Sequence, residues 1–346
     1  MTALSDVTDQ SAAPRVTGTA TSAAPGPGDG TGRRAGVPDP APASGPALAP
    51  DEAAAPAGDS TEAEAEAAAA VGEPAAPPLL DVRDVRITHR IADREIVHGV
   101  SFTLTPGRSV GIVGESGSGK TLTCRAALGI LPEHFDVTGG SITLDGTDIA
   151  TLTPHAWTAL RGTTISAVFQ DPSSYLNPSI RVGAQIAEVV RVKKGLGRRA
   201  ARLRALELLR AVHLRDPELV STQYTYELSG GMLQRVLIAA AIAADPRVLI
   251  ADEATTALDV TVQAEILDLL ADLRERLGLA LVVVSHDLAV VAQLCDEVLV
   301  LREGEVVEQG PTRTVLHAPR HDYTRLLLTE HEQYGMERLL TAEEAS

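Results

Sequence analysis

An α/β fold, in which helices pack on a parallel sheet, is predicted by three short apolar runs and by the residues that come directly after each run. Ser109-Val110-Gly111-Ile112-Val113 reads as a buried strand and leads through a glycine-rich loop into a helix-like segment, Leu122 to Leu128. Val248-Leu249-Ile250-Ala251 reads as a central strand covered on both faces, and it ends in Asp252-Glu253. Leu281-Val282-Val283-Val284 repeats the pattern and ends in Ser285-His286-Asp287. Open α/β sheets place ligands at the C-terminal ends of their strands, so the polar residues that close these runs are the first site candidates.

Composition sets the limits within which such a fold must lie. The chain has 346 residues, 44% apolar and 22% charged, which is ordinary for a water-soluble globular protein. A net charge of −16 disfavours general binding to a polyanion. Two cysteines, Cys124 and Cys295, are too few for a disulfide framework or a Cys-ligated zinc or iron–sulfur site. The longest apolar run, Val236 to Ala244, is less than half of the roughly 20 residues needed to cross a bilayer. No basic flank followed by an apolar stretch opens the sequence, so no signal peptide is expected.

The chain divides by composition near residue 79. Residues 1–78 hold 12 of the 21 prolines, no aromatic residue, and 11 acidic against 3 basic side chains, which is half of the net charge. A segment so poor in large apolar groups cannot offset its ordering entropy, and a disordered Ala/Pro/Gly/acidic tail is expected over 1–78, with transient helix over Thr61 to Val71. One globular domain, without internal repeat, occupies the rest.

The strongest motif is Gly114-Glu115-Ser116-Gly117-Ser118-Gly119-Lys120-Thr121, a complete G-x-x-x-x-G-K-[ST] between a strand and a helix. Its glycines let successive N–H groups curl around phosphate at the positive end of the helix, which Leu122 continues. Lys120 is placed to reach the β- and γ-phosphates, and Thr121 to ligate Mg²⁺. Asp252 is a second Mg²⁺ candidate, and Glu253 the candidate base for an attacking water. His286 is positioned to hydrogen-bond the γ-phosphate. Gln170, closing the run Ile165 to Phe169, can reach both Mg²⁺ and water through its amide. Alone, each of the last three would read as an unremarkable strand end.

Leu228-Ser229-Gly230-Gly231-Met232-Leu233-Gln234-Arg235 then opens a long apolar helix, with Ser229 as its N-cap and two glycines that admit an anion to the backbone. One phosphate loop already serves the nucleotide of its own subunit. A second anion-binding helix end is best explained as serving a nucleotide held by another subunit.

In this order, the phosphate loop, Gln170, Leu-Ser-Gly-Gly, Asp252-Glu253, Ala257-Leu258-Asp259 and His286 resemble the ATPase subunits of ABC transporters, over about residues 79–330. Phe169-Gln170-Asp171-Pro172 with Leu176-Asn177-Pro178, Thr255-Thr256-Ala257-Leu258-Asp259-Val260-Thr261-Val262-Gln263, and the tail Gly310-Pro311-Thr312 to His321-Asp322-Tyr323-Thr324-Arg325 narrow the resemblance to the oligopeptide/dipeptide/nickel importers. The resemblance implies a P-loop NTPase, with a RecA-like parallel sheet flanked by helices and an antiparallel β-subdomain near Leu79 to Leu104. It also implies a helical subdomain inserted at about 171–235. The nucleotide-binding domain would span 79–310, with a C-terminal extension of oligopeptide/nickel-importer type over 311–346.

The same resemblance implies a function. ATP and Mg²⁺ would be the cofactors, and hydrolysis would power uptake of peptides, nickel or a related small solute. The partners would be a second ATPase subunit, identical or not, two membrane permease subunits and, indirectly, an extracytoplasmic solute-binding protein. The chain would sit peripherally on the cytoplasmic face of the plasma membrane. Ser229 and Gly231 of one cassette would cap the ATP on Lys120 of the other, with Asp259 at the seam.

Two departures from the family pattern stand out. Ala254 replaces the usual proline after Glu253, and His89 occupies the place of the usual adenine-stacking aromatic. The alternative is a soluble ABC-type ATPase acting on nucleic acid or ribosomes; such chains carry paired cassettes or long coiled coils, which this one lacks. No nucleic-acid partner is expected, because Arg191 to Arg204, seven cations in fourteen residues, includes no stacking ring.

Overall fold

The computed structural model describes residues 77–330, apart from Ala257. The tail expected over 1–78 lies almost wholly outside the described residues, as does 331–346 of the C-terminal extension.

Along the chain, β1 (Leu80–His89) and β2 (Arg94–Leu104) form a hairpin, β3 (Ser109–Val113) leads to α1 (Lys120–Ala127), and β4 (Phe135–Leu144) and β5 (Thr147–Asp148) come next. After α2 (Pro154–Leu160) and β6 (Ile165–Val168) come five helices: α3 (Pro172–Tyr175), α4 (Val182–Lys194), α5 (Arg198–Ala211), α6 (Pro217–Val220) and α7 (Gly230–Ala241). Strands and helices then alternate as β7 (Val248–Asp252), α8 (Val260–Leu277), β8 (Ala280–Ser285), α9 (Leu288–Leu294) and β9 (Glu297–Arg302). The described chain closes with β10 (Glu305–Pro311), α10 (Thr312–His317) and α11 over 322–330.

Two sheets result. One is antiparallel, in the order β2-β1-β4-β5; the other runs β10-β9-β3-β8-β7-β6, parallel except for β10. The antiparallel layer extends beyond the stretch near Leu79 to Leu104 expected for it, because β4 pairs along β1 from Leu144 to Phe135.

Side-chain alternation explains why the parallel strands read as continuous apolar runs. Leu249 and Ala251 of β7, with Leu281 and Val283 of β8, pack into a core shared with α4, α5, α7, α8 and α9. Their neighbours Val248, Ile250, Val282 and Val284 point the other way, into a core closed by α1 and the antiparallel sheet. Both faces are therefore dry, as a two-sided parallel sheet requires.

Register decides where the chemistry falls. Val113 pairs with Ser285, and Asp252 with Val284, so the exits of β3, β7 and β8 lie side by side. Helix α1 starts at Lys120, two residues ahead of the predicted Leu122, because Gly119 takes a left-handed φ of 99° and turns the loop directly into the first helical turn. The cations of the basic run lie at the surface of α4 and α5, where Lys194 and Arg204 pair with Asp245 and Arg191 pairs with Glu188.

Candidate functional site

The phosphate loop is held in shape by its glycines and by Lys120. Gly114, Gly117 and Gly119 have φ of 149°, 85° and 99°, and a Cβ on Gly114 would lie 2.0 Å from the Leu301 carbonyl oxygen. Lys120 is 3% exposed. Its Nζ donates to the carbonyls of Gly114 and Glu115, each at 2.7 Å, bridging the base of the loop. Burial lowers the pKa of Lys120, while the negative charges of Glu253, Asp252 and Glu115 oppose that shift. A buried cation ringed by backbone is prepared to meet an anion.

Thr121, one residue on, donates from Oγ1 to Asp252 Oδ1 at 3.0 Å. This bond joins the first turn of α1 to the end of β7. Burial pushes the Asp252 carboxyl up, Glu253 adds to the rise, and the Thr121 hydrogen bond and the charges of Arg125 and Lys120 resist it. Around the pair lies a cavity of about 350 Å³ lined by Ser116, Thr121, Arg125, Phe169, Gln170, Asp171, Ser174, Tyr175, Asp252 and Glu253. Thr121, Asp252 and Gln170 thus line one space, and their hydroxyl, carboxylate and amide oxygens are the hard donors that suit Mg²⁺.

Glu253 comes directly after β7 with φ of 49°, a left-handed conformation, and its N–H donates to Val284 O at 3.0 Å. Glu253 lines the same cavity as Thr121 and Asp252. His286 is exposed two residues beyond that same Val284, at the mouth of β8.

Two groups of predicted residues lie elsewhere. Ser229 caps α7 by accepting from Met232 N at 3.4 Å, and Asp259 caps α8 by accepting from Val262 N at 3.0 Å. These helix ends adjoin: a Cβ on Gly231 would sit 2.6 Å from Val262 Cγ1, and one on Gly230 3.7 Å from Leu258 Cδ2. None of Ser229, Gly230, Gly231 and Asp259 lines the Thr121–Asp252 cavity. His89 stands at the end of β1, edge-on to Phe135 with ring centroids 4.8 Å apart.

Sequence reading gave no site role to Phe135, Arg125, Tyr175 or Tyr323, the last of them noted only within the tail motif. Phe135 reaches His89 only through the pairing of β4 with β1. Arg125 carried a signal, since it lies four residues after Thr121, one helical turn along the face that meets the cavity. Tyr323 carried no such local signal; it touches the loop across 208 residues, its Oη accepting from Glu115 N at 3.0 Å.

Fold and cavity together define a P-loop nucleotide hydrolase. A family model for ABC transporters matches residues 97–256. A probable peptide ABC transporter ATP-binding protein of Sinorhizobium fredii, y4tR, is 44% identical over 74% of this chain and 77% of its own length. The metal-staphylopine import system ATP-binding protein CntD of Staphylococcus aureus is 40% identical over 72% of this chain and 92% of its own. The oligopeptide transport ATP-binding protein OppD of Salmonella typhimurium is 44% identical over 72% and 75%. Among solved structures, a dimeric ATP-binding cassette in a post-hydrolysis state, bound to ADP and Pi, matches with a TM-score of 0.60 at 29% identity, covering 68% of this chain and 99% of that one. The chain belongs to the ABC transporter family and is one of its ATP-binding, ATP-hydrolysing subunits of import type.

Proposed function

We propose that this chain powers peptide uptake by hydrolysing ATP in the Thr121–Asp252 cavity, as one of two cassettes docked on the cytoplasmic face of separate membrane permeases. The observation that carries the catalytic part is the 3.0 Å bond from Thr121 to Asp252, inside a cavity that Gln170 and Glu253 also line. It places a phosphate loop, an acidic pair and an amide around one small volume.

In this reading Lys120 exchanges its contacts with the Gly114 and Glu115 carbonyls for β- and γ-phosphate oxygens, and an anion restores the charge that burial opposes. Thr121, Asp252 and Gln170 hold Mg²⁺, which when bound offsets negative charge on those oxygens. Glu253 accepts the proton of the attacking water, and His286 hydrogen-bonds the γ-phosphate. Ser229, Gly230 and Gly231 act on the nucleotide of the opposite cassette. No helix among the described residues is long and apolar enough to cross a membrane.

Relatives named for peptide, oligopeptide and dipeptide transport support peptides as cargo, and a relative named for metal–staphylopine import supports metal complexes as the second class. Glu253→Gln should retain ATP and Mg²⁺ in a stable dimer on size exclusion and release phosphate at least ~100-fold more slowly, the scale set by losing a general base. Phosphate release at the wild-type rate would remove Glu253 as the base. A strain lacking the chain should fail to grow on oligopeptides as its amino-acid source; normal growth with impaired nickel uptake would move the cargo to metal.

A further inference from the structure

The C-terminal segment reaches back to the phosphate loop through a chain of short contacts. Glu308 on β10 accepts from the N–H groups of Arg320 and His321 at 2.8 and 3.0 Å. His321 Nδ1 then accepts from Tyr323 N at 3.1 Å, which turns the chain into α11. Tyr323 is 2% exposed, its ring lies under the Arg302 guanidinium with Cζ 5.0 Å from the centroid, and its Oη accepts from Glu115 N at 3.0 Å.

The position of that last bond matters. The carbonyls of Gly114 and Glu115 face inward, toward Lys120 Nζ, while the Glu115 N–H faces outward, toward Tyr323. Lys120 and Tyr323 therefore hold the same arm of the loop from opposite sides. When Lys120 turns to phosphate its hold on those carbonyls weakens, and residues 114–115 are then held by the Tyr323 hydroxyl from outside the loop and by Ser118 N, which donates to Glu115 O at 3.2 Å, from within it. Gly304 N, donating to Ser118 O at 3.1 Å, tethers the far arm independently.

We infer that Tyr323 is a positioning residue of the nucleotide site, through which the C-terminal segment fixes the phosphate loop in its binding shape. This rests on the reading of the loop as the ATP site. An unanchored arm can leave the shape that presents the loop amides to phosphate, and the fraction of molecules that have left it appears directly as lost affinity.

Tyr323→Phe removes the acceptor and keeps the ring under Arg302. In the full chain it should raise the KM for ATP, and the Kd for a fluorescent ATP analogue, by about 2- to 10-fold, the worth of one neutral hydrogen bond. The fall in kcat should be smaller than the rise in KM. Hydrogen exchange over the peptide 114–121 should quicken in the nucleotide-free protein. A purely structural role would lower the melting temperature and leave KM and loop exchange unchanged, and that result would overturn the inference. Glu308→Gln, which loosens the anchor from outside the loop, should shift KM in the same direction by a smaller factor and serves if Tyr323→Phe does not fold. Lys120→Ala separates the two readings. If wild type binds the analogue and Lys120→Ala does not, unchanged binding by Tyr323→Phe defeats this inference alone; if wild type does not bind, the ATP-site reading fails first.

Discussion

Asp252 shows how one side chain can cost a protein stability and still be kept. Its carboxylate is buried at the end of β7, beside Glu253, and holds a single hydroxyl donor from Thr121. The folded pKa lies above the ordinary carboxylate value, so the folded state holds this proton more tightly than the unfolded chain does. Stability relative to Asp252→Asn should therefore fall as pH rises from the ordinary carboxylate range through the raised one, and level off above it. Each unit by which burial raises the pKa is worth about 1.4 kcal/mol. Urea midpoints for both proteins between about pH 4 and 8 check this, the range that spans a raised carboxylate; a difference independent of pH would show that Asp252 ionises as freely as in the unfolded chain. ATP hydrolysis should be lost in the same variant, which separates the group's function from its cost. Glu253 makes a related case in the backbone. A proline at 254, usual in the family, would push Glu253 toward extended geometry, whereas Ala254 leaves its left-handed φ of 49° open.

Helix ends, rather than helix interiors, place most of the remaining candidates. Asp259 caps the 18-residue α8 and Gly278 closes it with a left-handed φ of 64°. Asp259→Ala should destabilise the chain by about 0.5–2 kcal/mol, seen as a shift of the urea midpoint with an unchanged slope. No shift would mean that the Asp259 cap adds nothing to the stability of the fold. The Ser229 cap, the phosphate loop and the three strand exits were all legible in the sequence, because each depends on residues close to one another along the chain. The contacts that escaped depend on distant pairing. β4 alternates apolar and polar residues at each end, through Phe135 and Val137 and through Ile142 and Leu144, but Gly139 and Gly140 break the pattern in its middle, and the register on β1 joins the two halves into one strand. The Phe135–His89 contact arises from that register, and the Tyr323–Glu115 contact from the return of the chain after β10. Local pattern encodes which residue types meet a ligand; the surroundings that hold them are encoded by packing across the whole domain.

At the scale of the molecule, the candidate residues form two separate groups. The cavity of Thr121, Asp252, Glu253 and Gln170 has one, and the adjoining ends of α7 and α8, with Ser229, Gly231 and Asp259, have the other. A nucleotide on Lys120 would leave its γ-phosphate open on one side, while the α7 end offers amide donors with no phosphate of its own. Head-to-tail pairing of two cassettes would satisfy both, and if the two are identical it would have the closed symmetry that homo-oligomers favour. Ser229→Arg and Lys120→Ala should each be inactive alone. In a mixed dimer both lesions fall on one composite site, the Ala of one copy facing the Arg of the other, and the second site retains Lys120 and Ser229 intact. Equal mixing yields mixed dimers in about half of the molecules, each with one working site, so phosphate release should recover to about a quarter of wild type if the sites fire independently. Losing one charge-assisted contact to the γ-phosphate costs about 1.5–3 kcal/mol, or roughly 10- to 100-fold in rate, so the loss of that contact alone would bring Ser229→Arg to about a tenth to a hundredth of wild type, below the recovered quarter. Absence of recovery, with mixed dimers confirmed by mass, would mean that both sites must act together. Full activity of Ser229→Arg as a dilute monomer would instead show that each cavity completes its chemistry alone, and the shared site would have to be abandoned.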